Sequence, residues 1–189
     1  PLEDVELVKD DLGITHVYAK SDADALFGEG YAMARDRLFQ MEMNRRQARG
    51  TQAEILGAGA VKGDIGARTF GFAKLGQEDA DRLAKEAPED LALVEAWVAG
   101  VNARIDEIAR GDAALPYGLR KTELDVVPEK WAAADTFAIG KTLAFGLSNT
   151  LDYDILASAI RRIAPDTAAD IPLNLPAFDT AILLDDEAP

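Results

Sequence analysis

The sequence predicts a mostly α-helical protein with a short pair of strands at its N-terminus. Three observations lead there. Apolar residues recur at helical spacing over long segments, most clearly at Leu91, Val94, Trp97, Val98, Val101 and Ile105. Helix-opening signals stand at Ser21/Asp24 and Thr51/Glu54, each a hydroxyl residue followed three positions later by a carboxylate. Near the start, VELVKDDLGITHVYAKS reads as two strands around an Asp-Leu-Gly turn.

In order, the strands are expected over residues 5–9 and 15–19. A helix opens at Ser21, is interrupted by Gly28 and Gly30, and ends at Gly50. A short helix then starts at the Thr51/Glu54 capping box and closes at Gly57. Residues 58–76 are Gly-rich and read as irregular chain, whereas 79–85 and 89–109 carry helical periodicity. The charged, Pro-containing segment ALPYGLRKTELDVVPEKW is a loop. Residues 132–146 are nearly free of charge and predict a buried helix; 154–163 predict another. From Pro165 the chain reads as extended. No repeat or linker divides it, so residues 1–189 are expected to form a single domain.

Composition excludes several function classes. Acidic residues outnumber basic ones 34 to 20, for a net charge of -14, so most of the surface repels nucleic acid. Without cysteine there is no disulfide or thiol chemistry, and with one histidine a zinc site is disfavoured. No apolar run approaches the roughly 20 residues that span a bilayer. The chain starts Pro1-Leu2-Glu3 and stops at LLDDEAP, ends that fit a fragment processed from a longer precursor and equally a trimmed sequence.

Against that acidic background, FGEGYAMARDRLFQMEMNRRQARG, residues 27–50, holds five arginines. At about 100° per residue, one side of this helix collects Asp36, Arg37, Gln40, Asn44 and Gln47. The other collects Tyr31, Leu38, Phe39 and Met43 together with Arg35, Glu42, Arg45, Arg46 and Arg49. A nucleic-acid helix would turn its arginines to solvent. Here four of five share the apolar side, with Glu42 one turn from Arg45 and Arg46, which favours a partly buried ion network over a set of exposed i,i+4 pairs.

Other motifs read as structural. GEGYAMA echoes a dinucleotide fingerprint, but a capping signal precedes it and an Arg-rich helix follows, so close helix packing at Gly28 and Gly30 is the expectation. His16 lies mid-strand with no marked nucleophile nearby and is expected to bond a carbonyl or carboxylate. In SNTLDYD, Asn149, Asp152 and Asp154 offer oxygen ligands for a hard cation such as calcium, while spacing alone favours a helix N-cap. No self-contained catalytic constellation emerges.

The blocks GITHVYA (13–19) and FGEGYAMARDRLFQMEMNRRQARGTQAEILG (27–57), then Pro128-x-x-Trp131 and Asp135, resemble the α chain of the penicillin G acylase family. The resemblance runs in order from about Val5 to Leu156. It implies an N-terminal-nucleophile hydrolase, cut from one precursor into α and β chains that together build a four-layer αββα fold. The nucleophile would be the N-terminal serine of the β chain, with its own α-amine as base, and the oxyanion hole would be on β too. No catalytic residue is therefore expected here. The implied partners are that β chain, in an obligate heterodimer, and a small N-acyl substrate, with no nucleic acid and no membrane. Structural calcium shared with β, no organic cofactor, and a periplasmic or secreted location are also implied.

The resemblance places acyl-pocket residues in GKTLAFGLSNTLDYD. With one residue deleted before Thr150, Leu143 takes the family's Met position and Gly146-Leu147 its Arg-Phe pair. Without the gap these positions fall on Thr142, Phe145 and Gly146. The gapped register is preferred because Thr142-Leu143-Ala144 and Ser148 then agree with the family. Both registers put Asp152 at the calcium carboxylate and both lose the Arg. The resemblance thus implies an amidase for apolar or aromatic acyl groups such as phenylacetyl on β-lactam-type amines, with an uncharged pocket mouth. A homoserine-lactone or lipopeptide acylase is the alternative within the family, and a non-catalytic helical interaction module the alternative outside it.

Overall fold

A computed structural model describes residues 1, 3–148 and 151–164, without the side chains of residues 151–154 and 157. The expected tail from Pro165 lies outside the described residues. The chain divides into two compact units, Pro1–Ala144 and Phe145–Pro189.

The first unit opens with the predicted hairpin, β1 (Glu6–Lys9) and β2 (Thr15–Tyr18), antiparallel with Leu7 opposite Val17 and Val8 opposite His16. Asp10 shapes the turn: its Oδ1 accepts from the amides of Leu12 (3.0 Å) and Ile14 (2.9 Å), and Gly13 takes the left-handed conformation at φ 81°. His16 Nε2 meets Asp10 Oδ2 at 3.0 Å, the carboxylate bond expected of it. This bond, then the Ile14 amide, holds the Asp10 carboxyl below its ordinary range.

Helix α1 (Asp22–Arg49) begins where Ser21 Oγ accepts from the Asp24 amide, and ends at left-handed Gly50. Contrary to expectation, Gly28 and Gly30 do not interrupt it. A helical glycine costs about 1 kcal/mol, which is offset here because both glycines admit close neighbours. A Cβ on Gly30 would lie 2.1 Å from the Trp97 carbonyl oxygen, and one on Gly28 would lie 2.7 Å from Val5 and Val17 methyls. The partner of Gly30 is α5 (Pro88–Arg110), whose Gly100 in turn faces the Phe27 carbonyl. Two backbones therefore touch where α1 crosses α5. Along that seam Ala34, Leu38 and Met41 pack on Val98, Val101 and Ile105, and Leu119, Val126 and Trp131 of the following loop close the core.

Between these helices the expectation of irregular chain over 58–76 is wrong. Short α2 (Ala53–Leu56) and a 3-10 turn (Ala58–Ala60) lead into α3 (Val61–Phe70) and α4 (Phe72–Glu86). Only Gly71, at φ 73°, breaks the helical path after α3; Gly63, Gly66 and Gly76 sit inside helices. The capping box also fails. Asp64 caps α2 from a distance, accepting from the amides of Gln52 (2.9 Å) and Ala53 (2.7 Å), while Glu54 bonds Arg46 instead.

Helix α6 (Ala133–Ser148) matches the predicted span but not the predicted burial, since only Asp135 and Ala138 are buried. Its low charge comes with apolar side chains that the chain leaves uncovered. In the second unit α7 (Leu151–Ile163) is the described element beyond α6.

Candidate functional site

The last two turns of α1 carry the ion network that the helical wheel predicts. Arg45 and Glu42, each 2% exposed at the side chain, are paired through Arg45 Nη2 and Glu42 Oε2. The other Glu42 oxygen accepts from Arg46 Nε at 2.8 Å, and Arg46 continues to Glu54 at 3.0 Å. Arg45 also donates to the carbonyls of Glu129 (3.1 Å) and Lys130 (3.2 Å), and its guanidinium lies 5.0 Å from the centre of the Trp131 ring. This places one planar cation between α1 and the strap of chain that enters α6.

One turn on, Arg49 makes a two-pronged contact with Asp135. Its Nε donates to Oδ1 at 2.7 Å and its Nη2 to Oδ2 at 3.0 Å, while Nη1 reaches Glu129 at 3.1 Å. Burial alone would depress the Arg49 guanidinium, but these carboxylates outweigh it and its pKa is raised. Asp135, 4% exposed, also accepts from the Ala132 amide at 3.0 Å and so caps α6. Trp131 is fixed on three sides: Asn102 bonds its amide (2.7 Å) and carbonyl (2.9 Å), and its indole donates to Thr136 Oγ1 at 3.0 Å. Among the described residues no buried side-chain nitrogen or oxygen lacks a partner. The cluster ties the last turns of α1 to the strap that enters α6.

The candidate pocket residues lie on α6. In the first unit Thr142 is half-buried, its hydroxyl donating to the Ala138 carbonyl at 3.0 Å, and Leu143 is 57% exposed. In the second unit Phe145, Gly146 and Leu147 are exposed, Leu147 at 81%. Two hollows of about 330 and 320 Å³ open beside the hairpin, and neither is lined by these residues. This chain presents the residues without enclosing them. The predicted calcium ligand Asp152 falls at the start of α7 with its side chain outside the described residues, as do Asn149 and the Asp154 side chain. Among the described residues no group of three or more His, Cys, Asp or Glu side chains is gathered to hold a metal ion.

Sequence reasoning singled out the arginines and found only part of what receives them. Glu42 was foreseen, Asp135 entered only as a point of resemblance, and Glu129 not at all. The available signal was a carboxylate three residues into a helix otherwise nearly free of charge.

Comparison with known proteins matches this architecture. The family model described as Penicillin amidase covers residues 4–179. The penicillin acylase 2 proenzyme of Pseudomonas sp. (strain SE83) is 41% identical over 74% of the chain, which spans 17% of that protein. The acyl-homoserine lactone acylase QuiP of Pseudomonas putida is 31% identical over 86% of the chain, which spans 19% of it. The chain thus spans under a fifth of the length of these relatives. Among solved structures, a thermostable penicillin G acylase from Alcaligenes faecalis superimposes with a TM-score of 0.73 at 26% identity, covering 96% of this chain and 97% of the matched one. A family match through most of the chain, on a fold shared with a penicillin G acylase, means that the protein belongs to the penicillin amidase family.

Proposed function

We propose that this chain is the non-nucleophile α subunit of a heterodimeric amidohydrolase that cleaves N-acyl amides. The observation that carries the reading is the likeness in fold and sequence to a chain of the Alcaligenes faecalis penicillin G acylase, at a TM-score of 0.73 and 26% identity.

In the proposed mechanism the N-terminal serine of the β chain attacks the amide carbonyl, its own α-amine taking the proton. The α-ammonium returns that proton to the amide nitrogen, the C–N bond breaks and the neutral amine departs; water, giving a proton to the same α-amine, then attacks the acyl ester, and the proton passes to the serine oxygen as the acid is released. This chain contributes no reacting group. Its part is to line the acyl pocket with Leu143, Gly146 and Leu147, or with Thr142, Phe145 and Gly146 in the ungapped register. Either set is uncharged, which suits an apolar or aromatic acyl group. The likeness to a lactone acylase, together with the aliphatic Leu143 and Leu147, favours acyl-homoserine lactones as the second reading.

The protein expressed from its complete reading frame should show, by intact mass, this subunit and a larger one starting with serine. Hydrolysis of phenylacetyl and medium-chain acyl amides of one amine then decides the acyl class. A single unprocessed chain without amidase activity would reject the enzyme reading, and activity confined to long fatty acyl chains would reject the aromatic preference.

A calcium ion held by Asp152 and β-chain ligands belongs to the same proposal, as does a periplasmic or secreted location. The described residues supply no donor set of their own, so the metal test is thermal: chelation should lower the unfolding temperature of the wild type and leave Asp152→Asn unmoved. Signal-dependent export of the full-length protein tests the location.

A further inference from the structure

We infer that the Arg49–Asp135 fork is a positioning device that sets the direction of α6 within the first unit, and through it the place of the candidate pocket residues Thr142 and Leu143. The inference rests on the functional reading above.

Among the described residues helix α6 has modest apolar anchorage: Asp135 and Ala138 are buried, and Ile139 packs half-buried against the α1–α5 core. Hydrophobic contact is non-directional and small here, so directed bonds must aim the helix. They concentrate at its first turns: the Arg49 fork at 2.7 and 3.0 Å, the Ala132 cap, and the Trp131–Thr136 bond at 3.0 Å. Farther along, Gly76 admits the Ala134 and Ala138 backbone, and Lys141 pairs with Asp79 at 2.6 Å on the surface. The fork also joins a basic last turn of α1 to an acidic first turn of α6, each charge favoured by its own helix end.

The lever is short but sufficient. Thr142 and Leu143 follow Asp135 by seven and eight positions, two helical turns or roughly 11–12 Å. Loosening the pinned end by about 10° would carry Leu143 about 2 Å, and a 1 Å misplacement near a reacting centre can cost about 100-fold in rate. Arg49→Lys keeps the charge and removes the fork, because an ammonium cannot match both carboxylate oxygens in one plane.

The test uses the enzyme from its complete reading frame, with active sites counted by a serine-directed sulfonyl fluoride. The readout is the ratio of kcat/KM for phenylacetyl against hexanoyl amides of one amine. Arg49→Lys, and Asp135→Asn from the other side of the fork, should each move this ratio by about fivefold or more. The ratio for two amines carrying one acyl group should stay put. Ile105→Val, in the α1–α5 core, should lower stability and leave the acyl ratio unmoved. Amide hydrogen exchange over residues 137–143 should quicken in Arg49→Lys relative to α5. An active enzyme whose acyl ratio does not move in either fork variant overturns the positioning role alone. A wild type that hydrolyses no N-acyl amide overturns the functional reading, and the pocket role with it.

Discussion

The crossing of α1 and α5 should be the least tolerant point of the fold, and Gly30→Ala tests it. The added Cβ would sit 2.1 Å from the Trp97 carbonyl oxygen and 2.9 Å from its carbon. Both are backbone atoms, so no rotamer change relieves the clash and the helices must part by about 1 Å or more. A gap of that size forfeits a quarter to a half of each dispersion contact along the seam. Overpacking of this kind costs about 3 kcal/mol at the upper end of the usual range, and the gain in helix propensity on replacing glycine returns about 1. The expected net loss is therefore about 2 kcal/mol, measured by urea unfolding at unchanged m-value. Gly100→Ala, whose Cβ would lie 1.9 Å from the Phe27 carbonyl oxygen, should cost about as much. The double variant should cost less than the sum, because one crossing is spread only once. Gly28→Ala meets valine methyls that can rotate away, and should cost less than Gly30→Ala. Gly63→Ala, with open space around it, should be neutral or stabilising. A Gly30→Ala protein as stable as the wild type would refute the close-contact reasoning.

Three further outcomes are expected. Glu42→Gln removes the nearer of two carboxylates facing buried Arg45, Asp135 remaining 3.9 Å away, and should destabilise by about 3 kcal/mol in the same unfolding assay, beyond the effect of a surface pair; a loss under about 1 kcal/mol would mean the pair is not desolvated. Asp64→Ala removes the acceptor for the Gln52 and Ala53 amides and should cost about 1 kcal/mol, with faster exchange at those two amides. Tyr31, raised by burial and then by its bond to Glu107, should contribute stability that is complete below the unfolded tyrosine value of about 10 and lost as pH rises through the higher folded value. Tyr31→Phe should flatten that alkaline limb in pH-dependent unfolding, and an unchanged limb would assign it to another group.

What could be read from the sequence divides along physical lines. Local signals held where one interaction dominates: the Ser21 cap, the Gly50 stop and the α5 periodicity each depend on residues within a turn or two. Glycine was legible only in part: the close helix packing expected at Gly30 holds, while the interruption expected there and the irregular chain expected over 58–76 do not. The sequence shows that Gly30 lacks a side chain, but not that the Trp97 carbonyl needs the space; nor does it separate Gly71, at positive φ, from helical Gly63 and Gly66. Thr51/Glu54 satisfied the capping pattern and lost to Asp64, a carboxylate more than ten residues away that reaches two amides at once. The buried Arg–Glu pair was legible because helical spacing alone sets it among Leu38 and Met43. Its receptors across the fold, Asp135 and the carbonyls of Glu129 and Lys130, were not, because sequence separation hides them.

The arginines of an acidic protein also raise the matter of why charge is buried here at all. Replacing a buried ion pair with apolar residues of similar volume is often neutral or stabilising, so stability alone does not account for Glu42 and Arg45. What a guanidinium adds is geometry. Arg45 donates to a carboxylate and two consecutive carbonyls and also lies over the Trp131 ring, and thereby fixes the entry to α6. Arg49 then fixes its first turn. A leucine at either position could fill the volume but could not choose a direction. In a chain whose α6 buries only Asp135 and Ala138, that direction has to come from bonds with angles, and planar cations on the apolar side of α1 provide them.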